Sequence, residues 1–243
     1  MHIIKLNAID STNSYLKQLS VQHYLENLTV VLAENQTAGR GQRGAEWHVE
    51  PGKNLTFSVL VKNVLRDFEE VFNLNVIVAV TLHQAFYNLK LTNLAIKWPN
   101  DILSEKKKIA GILIENQIKS DGEIVSIIGI GINVNQSNFE NLPQASSFFN
   151  LTQKEWDTEL ILTTFLKLFQ HNINKYNSEG AHFFWDYYQK ALFRKNIPSV
   201  FENLNGVKFM GKIIRVTPLG LLEVELENDT FELFSIKDVK LLY

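Results

Sequence analysis

The stretch from residue 93 to residue 135, NLAIKWPNDILSEKKKIAGILIENQIKSDGEIVSIIGIGINVN, decides the fold. Three strand-like segments, NLAIKWPNDIL, KIAGILIENQ and EIVSIIGIGINVN, are joined by the polar turns SEKKK and IKSDG, as antiparallel hairpins are. Pro99 fixes a turn directly after an apolar strand and presents Asn100 and Asp101 at its end. The next strand opens with Lys108. If the hairpin pairs in this way, an amide, a carboxylate and an ammonium approach one spot. Lys106 and Lys107 read as a solvated turn, whereas Lys108 directly precedes IAGILIE and is placed to point along an inner face. Gly129 and Gly131 interrupt a buried strand, a pattern that marks close approach of a ligand.

Working outward, DSTNSYLKQLSVQ begins with residues that favour helix N-caps and carries Tyr15, Leu16 and Leu19, which predicts a short first helix. LTVVLAEN and NLTFSVLVK read as buried strands. FEEVFNLNVIVAVTLHQAFYNL places Phe72, Val76, Ala79, Val80 and His83 at helical spacing, with His83 at the edge of the core. Beyond the hairpins, a capping box of Thr152 and Glu155 predicts a helix whose apolar stripe runs through Leu162, Phe165, Leu166, Phe169, Ile173 and Tyr176. A second helix is expected over about 179 to 193, with Phe184, Tyr188 and Leu192 facing inward. From about residue 195 the pattern changes to short strands separated by Pro-Leu-Gly and Glu-Asn-Asp turns. The expected division is therefore 1–194 and a small β-barrel over 195–243.

Between the first two buried strands lies QTAGRGQRGAEW, residues 36–47. Its Gly39, Gly41 and Gly44 match G-x-G-x-x-G, yet a dinucleotide site needs a helix directly after the glycines, and here turn and strand follow. PGKN at 51–54 is no P-loop, because Trp47 stands where the earlier glycine is required. Bare backbone N–H groups beside Arg40 and Arg43 suit a loop that folds over an anion. A simple surface loop is the alternative reading.

Composition narrows the function. The chain has 243 residues, 45% of them hydrophobic, a formal charge of −2 and no cysteine. The last excludes disulfides, thiolate zinc sites and cysteine nucleophiles and suits a reducing, cytoplasmic setting. The six histidines lack metal-ligand spacing. The near-neutral charge gives no global field for nucleic acid, and no run of about 18 apolar residues suggests a membrane span. The expectation is a protein that binds neither DNA nor membrane.

GRGQRG, KWPNDIL followed by KKIAGIL, and GIGINVN, preceded by DSTN, together resemble the biotin protein ligases over essentially the whole chain. The KWPND and KxAGIL pair is the most specific part. The resemblance implies an α+β fold, a mixed sheet flanked by helices and related to class II synthetase cores, with an SH3-like C-terminal domain. It implies activation of biotin by ATP to biotinyl-5′-AMP, with Mg²⁺, and transfer to a lysine of a biotin carboxyl carrier domain of a biotin-dependent carboxylase. Some members carry an N-terminal DNA-binding helix-turn-helix; DSTN begins here at residue 10, so repression by that route is not expected. A homodimer is compatible with the reading.

By resemblance, Ser11, Thr12, Asn13 and Gln36 face the biotin ureido ring, although a helix cap also accounts for the first three. Gly39, Arg40, Gly41, Gln42, Lys108 and Gly111 complete the biotin side. Arg43, Trp47, Asn100, Asp101, Lys108, Gly131 and Asn133 are implied on the ATP side, with a packing role the alternative for Trp47. Arg40, Lys108 and Asp101 are the implied catalytic groups. Asp101 is also the candidate for Mg²⁺ and for deprotonating the acceptor lysine. The chain departs from the resemblance at Gln42, where many members have arginine, and after GINVN, where QSNF lacks an arginine some relatives have. A lipoate ligase and a non-catalytic sensor of the adenylate are the rival readings. The absence of a triple glycine argues against the first.

Overall fold

The computed structural model describes residues 1–243 apart from His48, Arg66, Phe68, Ser120, Asp121 and Asn141, together with the side chain of Arg43. Twelve strands and five α-helices appear among the described residues. The first sheet contains β1 (Ile3–Ile9), β2 (Val30–Gln36), β3 (Leu55–Lys62), β4 (Leu94–Lys97), β5 (Asp101–Ser104), β6 (Lys107–Ile118) and β7 (Ile124–Ile132). Its order is β1-β2-β3-β7-β6-β5-β4. Only β1 and β2 run parallel; every other neighbouring pair is antiparallel. The hairpins expected from residues 93–135 therefore form, with one refinement: NLAIKWPNDIL is two strands, β4 and β5, divided at the cis Trp98–Pro99 peptide.

Alternation along the central strands produces two different faces. Phe57, Val59 and Val61 of β3, Ala110, Ile112 and Ile114 of β6, and Ile128, Ile130 and Ile132 of β7 enter the main core. The helices α2 (Val71–Asn88), α4 (Thr158–Glu179) and α5 (His182–Ala191) pack over that side. On the opposite face α1 (Thr12–Gln22) covers only part of the sheet, where Leu16 meets Val31, Leu60, Val125 and Ile127. The remainder of that face carries Thr56, Ser58, Gly111, Leu113, Gly129 and Gly131. Among the described residues only the first turn of α1 reaches this patch, where Thr12 and Asn13 meet Ser58 and Asn13 lies against Gly129, and the recess beside them is the candidate site.

Two sequence expectations need correction. The Thr152–Glu155 capping box does not start the long helix. Thr152 is the last residue of a short helix α3 (Phe148–Thr152), where its hydroxyl donates to the Phe148 carbonyl at 2.8 Å. The same hydroxyl accepts from the Trp156 indole at 2.9 Å. The long helix instead begins behind Asp157, whose carboxylate caps the Glu159 N–H at 2.8 Å. Residues 148–156 serve to seat Phe148 and Trp156 against each other, with ring centroids 5.4 Å apart. The last helix is also shorter than expected, because Gly180 at φ 81° ends α4 and leaves α5 to start at His182. The strand β1 was not expected; half-exposed at a sheet edge, IIKLNAI lacks the buried run that marks β2 and β3.

The C-terminal strands β8 (Pro198–Asn203), β9 (Lys208–Val216), β10 (Leu222–Leu226), β11 (Phe231–Phe234) and β12 (Val239–Leu242) form a second, fully antiparallel sheet in the order β11-β10-β9-β8-β12. Phe201, Ile213, Val216, Leu222, Val224 and Val239 from it belong to the same buried cluster as the main core. The chain reaches this sheet along the free edge of β4, where the Phe193 N–H donates to the Ile96 carbonyl at 2.8 Å. Among the described residues, no helix is long and apolar enough to cross a membrane.

Candidate active site

A cavity of about 310 Å³ lies where the uncovered face of the first sheet meets the glycine loop and the C-terminal sheet. Ser11, Thr12, Asn13, Gln36, Arg40, Gly41, Gln42, Trp47, Asn100, Asp101, Lys108, Gly111 and Gly131 all line it. Residues drawn from segments more than 100 positions apart thus share one wall.

One end is a network of uncharged donors and acceptors, tied at its edge to the Glu115 carboxylate. Ser11 caps α1, its hydroxyl accepting from the Ser14 N–H at 3.4 Å, so the capping role holds and also brings the next two residues to the cavity. Gln36 Oε1 accepts from the Thr12 N–H at 2.8 Å and the Thr12 hydroxyl at 3.0 Å. The fully buried Ser58 hydroxyl lies 2.7 Å from Thr12 Oγ1 and 2.6 Å from Asn13 Oδ1. Asn13 Nδ2 donates to Glu115 Oε2 at 2.8 Å. Such mutual pairing fixes the orientation of each amide and hydroxyl before any ligand arrives.

The glycine loop closes over this region as a small hairpin. Arg40 bridges Glu46 on the backbone, and the Trp47 N–H donates to the Gly39 carbonyl at 2.9 Å. Gly39 itself does not line the cavity. The Arg40 guanidinium donates to the Ser14 hydroxyl at 3.0 Å and pairs with Glu115 at 3.4 Å. The Trp47 indole lies flat against the sheet, and a Cβ at Gly131 would overlap it. Gly131 is thus a site of close approach, as its position in a buried strand suggests, but the group approaching it here is the Trp47 ring. The indole Nε1 is buried with no hydrogen-bond partner among the described residues.

The opposite end is charged. Lys108 Nζ lies 2.7 Å from Asp101 Oδ1, and Lys97 Nζ lies 3.7 Å from Asp101 Oδ2. Lys108 also stands over the Trp47 ring, 5.4 Å from its centroid. Asn100 directs its amide at the Ile112 carbonyl, 2.6 Å away, and its own carbonyl accepts from the Ile112 N–H. That bonding anchors the turn that presents Asp101. Burial pulls the Lys97 ammonium below the usual lysine range; Asp101 opposes this, while Lys108 and Lys240 add to it. The Tyr243 phenol is pushed up to about 12, by burial and then by Asp101.

Asn133 is not part of the cavity wall; its amide donates to the Ser146 carbonyl at 3.0 Å. The Arg43 side chain lies outside the described residues. Sequence reasoning did not single out Lys97, Ser14, Ser58 or Glu115, nor Lys240 from the C-terminal sheet. Lys97 stands inside the KWPND motif, two residues before Pro99, which was an available signal. Ser58 and Lys240 have none, because only the folded register turns them to this cavity.

Among the described residues, no three His, Cys, Asp or Glu side chains gather as a metal cage. Both Asp101 oxygens already face ammonium groups. The donor set does not fit a resident divalent cation.

The sequence model of the Biotin/lipoate A/B protein ligase family matches residues 6–135, more than half of the chain. The chain belongs to this family. Within it, the bifunctional ligase/repressor BirA of Bacillus spizizenii is 29% identical over 242 residues, covering 96% of this chain and 72% of that protein. The biotin–[acetyl-CoA-carboxylase] ligase of Paracoccus denitrificans is 37% identical over 127 residues, covering 51% of each. Among solved structures, the biotin protein ligase of Aquifex aeolicus in complex with biotin and ATP superposes with a TM-score of 0.81 at 25% identity, covering 99% of this chain and 98% of that one. The biotin/lipoate ligase fold therefore extends through the C-terminal sheet as well.

Proposed function

We infer that this protein is an ATP-dependent biotin protein ligase, which activates biotin as its adenylate and transfers it to a lysine of an acetyl-CoA carboxylase carrier domain. One observation carries the reading: a neutral hydrogen-bonding pocket and a cationic pocket share a single cavity. A ureido ring needs uncharged donors and acceptors, which Thr12, Asn13 and Gln36 offer. A carboxylate approaching a phosphate needs positive charge already in place, which Arg40 and Lys108 offer. The membership of the chain in the family and the biotin and ATP bound in the Aquifex aeolicus structure support the same assignment.

In the first half-reaction a biotin carboxylate oxygen bonds to the α-phosphorus of ATP. The bond from that phosphorus to the bridging oxygen breaks, and pyrophosphate leaves with the electron pair. Lys108 and Arg40 offset the meeting of anions, and Trp47 and the glycine loop exclude water from the adenylate. Mg²⁺ enters with the nucleotide as Mg-ATP, consistent with the donor set around Asp101. In the second half-reaction a neutral lysine amine attacks the biotinyl carbonyl and AMP departs. Asp101 is the carboxylate assigned to receive the amine proton. The proposal includes a cytoplasmic setting and two structural parts dividing near residue 195.

A mixture of the protein, labelled biotin, Mg-ATP and a carrier domain tests the reading. Label on the acceptor lysine is the expected result. Adenylate without transfer would replace the ligase with a sensor, and equal use of lipoate would move the assignment to the lipoate branch of the family.

A further inference from the structure

Glu115 follows Gly111 and Leu113 at every second position of β6, on the cavity side of the sheet, yet it does not line the cavity itself. One of its oxygens serves two segments. Oε2 accepts from Asn13 Nδ2 at 2.8 Å and from the Arg40 guanidinium at 3.4 Å. Asn13 belongs to the first turn of α1 and to the neutral end of the cavity, whereas Arg40 belongs to the glycine loop. An ionised carboxylate can only accept hydrogen bonds, so the Asn13 NH2 group must face it. The other amide hydrogen points at the Leu113 carbonyl, 3.3 Å away, which commits both. Oδ1 is left toward the Ser58 hydroxyl at 2.6 Å and toward Gly129, where a Cβ would stand 2.5 Å from it. Asn13 therefore has an acceptor to offer a ligand and no donor. Arg40 is held more loosely: its contact with Glu115 is longer, its side chain is half-exposed, and its other partner is the Ser14 hydroxyl. It is the partner that can exchange Glu115 for an arriving anion.

We propose that Glu115 is a positioning residue for adenylate formation, which through a single oxygen fixes the Asn13 amide with its carbonyl toward the ring pocket and keeps Arg40 at the rim beside it. The inference rests on the ligase reading for the identity of the ligand. The orientation of Asn13 follows from the hydrogen-bond geometry itself. Ring recognition at residue 13 and the cation at residue 40 thus depend on one carboxylate at residue 115, which touches neither the ring pocket nor the reacting atoms. When the biotin carboxylate enters, Arg40 leaves Glu115 for it, while the stronger bond to Asn13 stays and preserves the polarity of the pocket.

The test uses the full chain and Glu115→Gln, which keeps the shape of the side chain and removes its charge. An amide at this position can donate to Asn13 and turn its carbonyl away from the pocket. The probe for the ring pocket is biotinol, the alcohol analogue that lacks the carboxylate, titrated by calorimetry. Glu115→Gln is expected to bind biotinol about tenfold more weakly and to form adenylate about tenfold more slowly at saturating substrates. In an Asn13→Ala background the same substitution is expected to lower biotinol affinity no further, and in an Arg40→Ala background to slow adenylate formation no further. Additive losses in either cycle overturn the proposal, by showing a general structural effect. Unaltered affinity and rate in the single variant also overturn it. A ligand-free measurement separates this outcome from the ligase reading: the NMR signals of the Asn13 side-chain amide, assigned by their loss in Asn13→Ala, are expected to move in Glu115→Gln. Signals that stay in place overturn the positioning role whatever the ligand. If they move while the wild type binds neither biotin nor biotinol, the ligase reading fails and the orientation of Asn13 by Glu115 stands.

Discussion

Lys108 owes its position to three neighbours: the Asp101 carboxylate, the Trp47 ring and the flat backbone of Gly111. None of these contacts lies in the main core, so Lys108→Ala is expected to keep the fold while removing charge where the proposed mechanism brings the two anions together. Adenylate formation should fall by about two to three orders of magnitude, read by biotin-dependent pyrophosphate exchange, with an unchanged circular dichroism melt. Unchanged exchange would remove Lys108 from the catalytic groups. Gln42 lines the same cavity with a neutral side chain. With the adenylate in this cavity as proposed, Gln42→Arg adds a cation to its wall and should slow its release, measured by filter binding of labelled intermediate; equal rates would show that this position has no part in retention. At this scale much was legible, because KWPND and the glycine loop each concentrate unusual chemistry in a few consecutive residues. Ser58 was not legible: one serine in LTFSVLVK becomes informative only when β3 turns it toward Thr12 and Asn13.

Elements were read well where burial is continuous or alternates strongly. β3 is buried along nearly its whole length and β7 is buried at all positions but one, so their apolar runs were unmistakable. The Thr152–Glu155 error has a physical origin, since a capping signature describes local hydrogen bonding and the demand to bury Phe148 overrode it. Contacts between elements were not legible. Gly220 is an example: it has φ 82°, its carbonyl accepts from the Trp98 indole at 3.0 Å, and a Cβ there would overlap Phe72 of α2. Gly220→Ala combines backbone strain with a steric clash and should destabilise the protein by about 2 kcal/mol or more, measured by urea unfolding. A change within about 0.5 kcal/mol would show that this turn does not clamp the second sheet to α2. His83 of α2 meets the Tyr187 hydroxyl of α5 at 3.0 Å, and burial, opposed by a hydrogen bond to the Leu94 backbone, lowers its pKa from the usual 6.5. The unfolded chain therefore takes up this proton first. Its contribution to stability is complete above about pH 6.5 and is lost as the pH falls below that value. His83→Gln should flatten the acid side of the stability profile; an unchanged slope would assign acid sensitivity to other groups.

At the scale of the whole molecule, the change of pattern near residue 195 correctly announced a second sheet, but pattern alone could not show how the sheets meet. Phe201, Ile213, Val216 and Leu222 join the same buried cluster as Phe57 and Ile130, and Trp98 and Gly220 link the two sheets by a buried hydrogen bond. Separating the sheets would expose apolar surface on both, at a cost of about 25 cal/mol for each Å² uncovered. The two parts should consequently unfold together. A calorimetric scan is expected to give one transition, with calorimetric and van't Hoff enthalpies in agreement. The cavity draws its walls from both sheets, so biotin with a non-hydrolysable Mg-ATP analogue should raise the whole transition, by about 2.7 kcal/mol at a ligand concentration one hundred times Kd. Two transitions, with only the first shifted by ligand, would mean that the C-terminal sheet is a separate cooperative unit and contributes nothing to nucleotide binding. A single transition that moves as one would tie the binding energy to the junction of the two sheets, which both line the cavity.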